Sequence, residues 1–473
     1  MVSHWWDEVE RVARPALPGP TAADVCVVGA GYTGLWTAYY LARAAPELRV
    51  VVVEQRFAGY GASGRNGGWL VNSITGGRDR YVRTHGAGAA HRLQTALNET
   101  VDEVLRVVAA EGIDAGVARG GELTVATNDA QWDRLQVAVA AEQRWDHDTG
   151  VELLDADAAR ARVAVPGLRG AAWQPHAARV QPARLVAGLA RAAQARGVEI
   201  VEDTTVTALR PGRVETDRGP VTARFVVRAT EGFTAGLPGE RRTWLPMNSS
   251  LIVTAPLPAP VWADIGWEGR EVLGDAAHAY VYAQRTADDR IALGGRGVPY
   301  RYGSRLPDPV RGGRLARSAG WTRRGRIGHS GATAPATVES LRSALRRLFP
   351  AAGEAAVDRA WSGVLGVPRD WAATVGLDRA TGLAVGGRLR RNGRRGGEPR
   401  GPHADRPDPR PVDGAAALPW VGHRVRRWEP EPLRWLGVRG LYVAYRAADR
   451  AEHRGRPTTS PLARIADVVS GRH

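Results

Sequence analysis

Cysteine occurs once in the 473 residues, at Cys26. A single thiol forbids an internal disulfide and a dithiol redox pair, so disulfide-reductase chemistry is excluded. Cys26 lies in an apolar run, where a buried and unreactive thiol is expected. No run of 18 or more apolar residues occurs, so no membrane-crossing helix is expected. The N-terminal "MVSHWWDEVERVARP" carries acids and lacks the apolar core of a signal peptide. These absences point to a cytoplasmic protein. The eleven histidines show no H-E-x-x-H spacing and there is no C-x-x-C, so no metal is expected.

Charge is present in excess, at +16, but its distribution matters more than its sum. Residues 301–327 hold eight Arg and one Asp; residues 388–413 hold eight Arg against Glu398, Asp405, Asp408 and Asp413. Those two stretches supply 11 of the 16. Neither interleaves aromatic residues with its arginines as a single-strand-binding surface does, so nucleic acid is not a favoured partner. Residues 388–411, "RLRRNGRRGGEPRGPHADRPDPRP", contain one Leu, no aromatic residue and no apolar period.

The hydrophobic content of 44% is that of a folded protein, and the length suffices for two domains. "ADVCVVGAGYTGLWTAYYLARAAPELRVVVVEQ" (23–55) is the most informative stretch. The apolar run Val25–Val28 leads into Gly29, Ala30, Gly31, Tyr32, Thr33 and Gly34. A helical pattern follows, then the apolar run Val50–Val53, ending at Glu54 and Gln55. Strand, glycine turn, helix, strand and acid come in the order a dinucleotide-binding unit requires. Gly29 permits the tight turn, Gly31 a close approach of backbone to pyrophosphate, and Gly34 close packing of helix on strand. The helix N-terminus offers free N–H groups and a positive dipole end to phosphate. Glu54 can accept hydrogen bonds from ribose hydroxyls.

A second glycine-rich segment, "GYGASGRNGGWL" (59–70), follows the acidic strand end. A simple NAD domain has no use for it, whereas an isoalloxazine passing close to backbone does. With the run Ala62, Ser63, Gly64, Arg65, Asn66, Gly67 and Gly68, the chain resembles the D-amino-acid oxidase and glycine oxidase superfamily. Within that superfamily it is most similar to the γ-glutamylputrescine oxidase-like branch. The resemblance covers roughly residues 1–305, 330–384 and 417–473. It implies an α/β fold: a Rossmann-like FAD-binding domain with a discontinuous antiparallel-sheet α+β substrate domain. The implied partition assigns 1–90, 150–240 and 330–473 to the first domain and 91–149 and 241–329 to the second.

The resemblance implies FAD, with Val206 near its adenine and Gly366 and Arg369, in "WSGVLGVPRDWAATVG", at the flavin face; with Cys26 the only thiol, and on the first strand, that FAD is expected to be non-covalent. It implies an enzyme that oxidises the C–N bond of an amine or amino acid derivative. Hydride passes to flavin N5, and molecular oxygen is the acceptor. Such chemistry needs an oriented C–H bond and a neutral amine, not a strong protein base. Alternation in "HAYVYAQR" puts His278, Tyr280, Tyr282 and Gln284 on one strand face, a candidate cavity wall. Arg65, Arg296 and Arg369 are candidates to hold a carboxylate or the flavin edge.

Two stretches depart from the family. Residues 301–329 look like a family connection lengthened by about twenty Arg, Gly and Ser residues, and a mobile surface loop is expected there. After Gly382-Leu383-Ala384 the family continues with a Trp-Ala-Gly-Gly-Tyr-like turn, a glycine loop and a helix. None of these is present. Back-translation with G/C-rich codons and a one-nucleotide shift can yield segments close to "WAAGYVG" and "AANLAGRTLTDLILGRSTAL". The family pattern returns at "ALPWVGHRVRRWEPEPLRWLG" in the original frame. Residues about 385–415 therefore read as an out-of-frame translation, which would leave an impaired copy of such an enzyme.

Overall fold

The structure, a computed structural model, describes residues 2–145, 150–295, 297, 299–304, 333–387 and 418–470. Among these, two eight-stranded sheets and one two-stranded pair carry the chain.

The first sheet is built around β1 (Thr21–Val28), α1 (Tyr32–Ala44) and β2 (Val50–Val53). β1 pairs in parallel with β2 on one side and with the strand Val221–Arg228 on the other. Beyond β2 lies Glu199–Val201; beyond Val221–Arg228 lie Leu383–Gly387 and then Thr374–Asp378. Side chains alternate between two cores. Val25, Val27, Val50 and Val52 pack with Leu35 and Tyr39 of α1 and with Leu189 of the helix Pro182–Gln194. Cys26, Val28, Val51 and Val53 pack on the opposite face with Val201 and Val226. Burial on both faces explains why these strands read as unbroken apolar runs. Gln181 caps the helix Pro182–Gln194 by accepting from the Arg184 N–H, and Gly197, at φ +87°, follows its end.

The second sheet has the order Val357–Val367, Leu245–Thr254, Ile291–Gly295, Tyr282–Arg285, Val272–Asp275, Glu122–Ala126, Gly170–Gln174, Glu152–Asp155. Its pairings are antiparallel except Val272–Asp275 with Glu122–Ala126. One face buries Leu123, Val125, Ile252, Leu273, Ala283 and Leu293 beneath Trp262, Trp267 and the helix Pro335–Leu348. The other face meets the first unit: Leu251, Val253, Ala292 and Trp361 pack with Trp5 and with Ala183 of the helix Pro182–Gln194.

Strand pairing moves the expected partition. Gly170–Gln174 pairs with Glu122–Ala126 and with Glu152–Asp155, and Val357–Val367 pairs with Leu245–Thr254, so these strands belong to the second sheet. Short apolar strands carry no local mark of which sheet they join; only the pairing partner decides it. The expected long strand through 278–285 is also shorter, beginning at Tyr282. Before it, Asp449 accepts the N–H groups of His278 and Ala279, and Asp275 accepts that of Val281. Carboxylates there satisfy donors that a ladder would otherwise use. Residue 296, most of 301–329 and residues 388–417 lie outside the described residues. No described helix is long and apolar enough to cross a membrane.

Candidate functional site

The turn between β1 and α1 is held as the glycine pattern demands. Gly29 has φ +105°, and a Cβ there would lie 2.6 Å from the Ala229 carbonyl oxygen. At Gly34 a Cβ would overlap the Gly29 carbonyl. Ala30 is fully buried, and its N–H donates to Glu54 Oε2 at 2.9 Å. Glu54 Oε1 accepts from the Arg56 N–H at 3.0 Å. Burial raises the Glu54 pKa, and these N–H donors pull it back down. The acid therefore shapes the turn, and Gln55 follows it just past the end of β2. Val206 opens a strand just past Thr204, whose N–H donates to the Glu54 carbonyl.

The second glycine run folds directly against this turn. The Tyr32 N–H, at the first turn of α1, donates to Ser63 Oγ at 2.8 Å. Gly59 donates to the Ala30 carbonyl. Ala62–Gly64 form a single helical turn, and Asn66 staples the loop: Nδ2 donates to Ser63 O, and Oδ1 accepts from the Gly68 N–H. The glycines are required by protein neighbours. A Cβ at Gly64 would overlap Trp6, one at Gly67 would lie 2.6 Å from the Tyr282 ring, and one at Gly68 would overlap Gln284.

Arg65 is 3% exposed. Its Nε donates to Tyr60 O at 2.8 Å and one terminal nitrogen to Ser362 O at 3.1 Å, while the other is buried with no partner. Burial lowers its pKa, and no carboxylate among the described residues pairs with it. Arg65 is thus a buried cation beside the loop. A flavin dinucleotide fits these residues. Gly31, Tyr32 and Thr33 are only partly buried, and a Cβ at Gly31 would meet only the Ser63 side chain. The turn, Glu54 and the 62–68 loop would hold it.

The second sheet supplies Tyr282, whose hydroxyl lies 2.8 Å from Ser249 Oγ and whose ring meets Trp69 edge-on at 5.9 Å. Tyr282 is the one aromatic candidate that the structure brings to the 59–70 loop through direct contact with Gly67. Tyr280 lies off the strand, 6.4 Å from the Tyr282 ring between centroids. His278 sits elsewhere: its Nε2 bonds Glu452 at 3.0 Å, and its ring stacks on Tyr445 at 5.8 Å in the helix Leu433–His453. His278, Asp449 and Glu452 could hold a metal by spacing. Asp449, however, already accepts two backbone N–H groups, and Glu452 a bidentate Arg134. Arg369 pairs with Glu429 at 2.9 Å over the Trp428 ring. Gly366 donates to Glu231 Oε2, and a Cβ there would press on the Glu231 backbone. Arg296 lies outside the described residues.

Sequence reading missed the N-terminal "HWW". Trp5 Nε1 donates to Asn66 O at 2.8 Å, Ser3 Oγ to Gly64 O at 2.7 Å, and Trp361 Nε1 to Arg65 O at 2.8 Å. The paired tryptophans were the available signal, but nothing in the sequence names a partner sixty residues away.

Comparison with known proteins agrees with this geometry. γ-Glutamylputrescine oxidoreductase of Escherichia coli is 33% identical over 294 residues, which is 61% of this chain and 67% of that protein. The probable oxidoreductase OrdL of Haemophilus influenzae is 29% identical over 290 residues, covering 59% and 66%. The matches thus span about two thirds of those relatives' own length. Glycine oxidase from Bacillus cereus shares the fold, with a TM-score of 0.58 at 19% identity over 77% of this chain and 88% of that one. Residues 24–394 match the DAO family, described as FAD dependent oxidoreductase; the chain belongs to that family, and its cofactor is FAD.

Proposed function

We infer that the enzyme oxidises the C–N bond of an amine or amino acid derivative, with oxygen as the electron acceptor. The observation that carries this reading is the meeting of two surfaces. The 62–68 loop touches the α1 N-terminus through Ser63 and the second sheet through the contact of Gly67 with Tyr282. A substrate on that sheet face would therefore lie against the cofactor-binding segments. The relatives' names, an oxidoreductase of γ-glutamylputrescine and a glycine oxidase, support an amine or amino acid as substrate. FAD, when bound, supplies the two-electron acceptor, taking hydride at N5. The protein's part is to orient the substrate and exclude water: the Tyr282–Ser249 hydroxyl pair can hold a polar group, and Trp69 walls the site. Arg65, as a buried cation, favours negative charge nearby. A panel of amines with peroxide detection tests the reading. Reduction by NADH with no amine active would overturn it.

A second reading, an impaired copy, has one structural observation in its favour. Val375 and Leu377, on the edge strand beside Leu383–Gly387, are 47% and 46% exposed. The sequence that follows position 387 offers little apolar matter to cover them.

A further inference from the structure

Most buried acids among the described residues have partners, although Glu271, which pairs with Arg162 through one oxygen, leaves the other unpartnered. Glu54 and Asp275 accept backbone N–H groups, Glu202 accepts the Ala58 N–H and Arg14, and Glu452 accepts Arg134. Glu122 is different. It is partly buried at the start of the strand Glu122–Ala126, and among the described residues it accepts no hydrogen bond and pairs with no cation. All 65 cationic side chains are arginine, the residue best suited to pair with a carboxylate, and none is placed here. Arg179, nearby on the strand Ala177–Arg179, donates to the carbonyls of Arg285 and Gly116. The Glu122 carboxylate is thus held by no other group among the described residues and keeps contact with solvent, which leaves it open to a ligand.

Strand register fixes where Glu122 faces. Thr124 pairs with Gly274, and Gly274 with Tyr282, so the three share one face. Leu123, Leu273 and Ala283 point into the opposite core. Glu122, two residues before Thr124, therefore lies on the Tyr282 face, two strands away. Neighbouring strands are about 4.8 Å apart and residues advance about 3.3 Å, so the two backbone positions are roughly 12 Å apart. Between them the Trp69 ring leans over Gly274, where a Cβ would lie 3.2 Å from it. Thr124, Glu122 and Trp69 all keep some exposure. Burial without a compensating charge raises the Glu122 pKa to about 7, as expected for a carboxylate that waits for a cation.

We propose that Glu122, with the face of Trp69, binds a second, cationic group of the substrate, so that the enzyme selects amines carrying a distal ammonium. The carboxylate offers ion pairing and the indole a cation–π surface, a combination that suits an alkylammonium better than a neutral tail. The proposal rests on the amine-oxidising reading of the site and deepens it.

The test uses FAD-loaded enzyme with α,ω-diaminoalkanes of increasing length, each against the n-alkylamine of equal length. For the best chain length the wild type should favour the diamine by at least about tenfold in kcat/KM. Glu122→Gln should collapse that ratio towards one through KM, and Glu122→Asp should keep part of it. Calorimetric binding of the same diamine to wild type and Glu122→Gln reads the site without turnover. A wild type that shows no diamine preference, or a Gln variant that retains it, overturns the proposal. If no amine is turned over, the amine-oxidising reading fails and calorimetry alone decides: binding weakened about tenfold or more in Glu122→Gln supports the subsite, and absent or equal binding removes it.

Discussion

Gly68 and Glu122 illustrate two opposite ways in which a single residue departs from ordinary stability rules. Gly68 has φ +71°, and a Cβ there would overlap Gln284 Nε2 and the Val180 carbonyl. Gly86, at φ +81°, has nothing within 4 Å of such an atom. At φ +81° and ψ +163° Gly86 sits in a region that side chains avoid, so Gly86→Ala should cost a backbone term of about 1–3 kcal/mol, and Gly68→Ala about 2 kcal/mol more than that from its overlaps. Denaturant titration of both separates steric from conformational cost; equal losses would contradict the crowding. Glu122 works in the other direction. Its pKa rises from an ordinary 4.5 to about 7, so the folded state holds a proton that the unfolded chain releases across that window. Stability falls as pH climbs from about 4.5 to 7, and the full penalty stands above pH 7. Glu122→Gln escapes it and should be more stable than wild type by about 1–3 kcal/mol at pH 8, with little difference at pH 4.5. Melting curves at both pH values check this, and a Gln variant that is destabilised at pH 8 would refute it. Cys26 makes the third residue-scale case. It is fully buried in β1 and its pKa is pushed up to about 12, so no thiolate is available to bond a flavin. Acid precipitation should leave all flavin in the supernatant.

At the scale of elements, legibility followed how local the determining contacts are. β1, α1 and β2 could be read because apolar run, glycine turn and acid lie within one short stretch and each constrains the next. The helix Pro182–Gln194 was legible for the same reason, through its apolar spacing and glycine stop. The second sheet was legible only as strands: the pairing of Gly170–Gln174 with Glu122–Ala126 joins residues far apart in sequence. Alternation at 278–281 misled because Asp449 and Asp275 take over the backbone donors. His278 consequently packs on the helix Leu433–His453, while Tyr282 lies against Gly67 of the 62–68 loop. The N-terminal turn His4–Trp6 was invisible as part of the site, yet it clamps the 62–68 loop through Trp5. Trp5 is 2% exposed and meets Trp361 edge-on at 5.7 Å. Trp5→Ala should cost about 3–5 kcal/mol and lower FAD retained per chain after gel filtration. A destabilised variant with undiminished flavin would show that the clamp supports the fold alone.

The whole molecule depends on the two sheets being closed over both their faces, and on the Thr374–Asp378 strand of the first sheet two apolar side chains stay exposed. Leu383–Gly387 runs parallel to Val221–Arg228, with Ala384 beside Val227 in the core that α1 covers. Leu377 pairs with Ala384 and Val375 with Gly386, so both exposed side chains lie on the α1 side of the sheet. A parallel strand at this position is ordinarily followed by a helix that packs back over the sheet. Residues 388–417 as written carry eight arginines and no apolar period, so their composition does not supply one, whereas a back-translation shifted by one nucleotide can yield an apolar-faced segment. Covering Val375 and Leu377, each about half exposed, would add about 2 kcal/mol, and the inner face of the helix would add to that. FAD binds the folded state only, so a looser fold near Gly386 and Thr33, which touch across α1, should also lower cofactor occupancy. The chain with the frame restored across residues 385–415 should therefore melt higher and hold more flavin per polypeptide than the chain as written. Absorbance near ~450 nm, characteristic of bound flavin, set against protein concentration, together with a melting curve of each apoprotein, separates cofactor loss from loss of packing. Equal occupancy and equal melting temperature in the two versions would show that residues 388–417 cost the enzyme nothing.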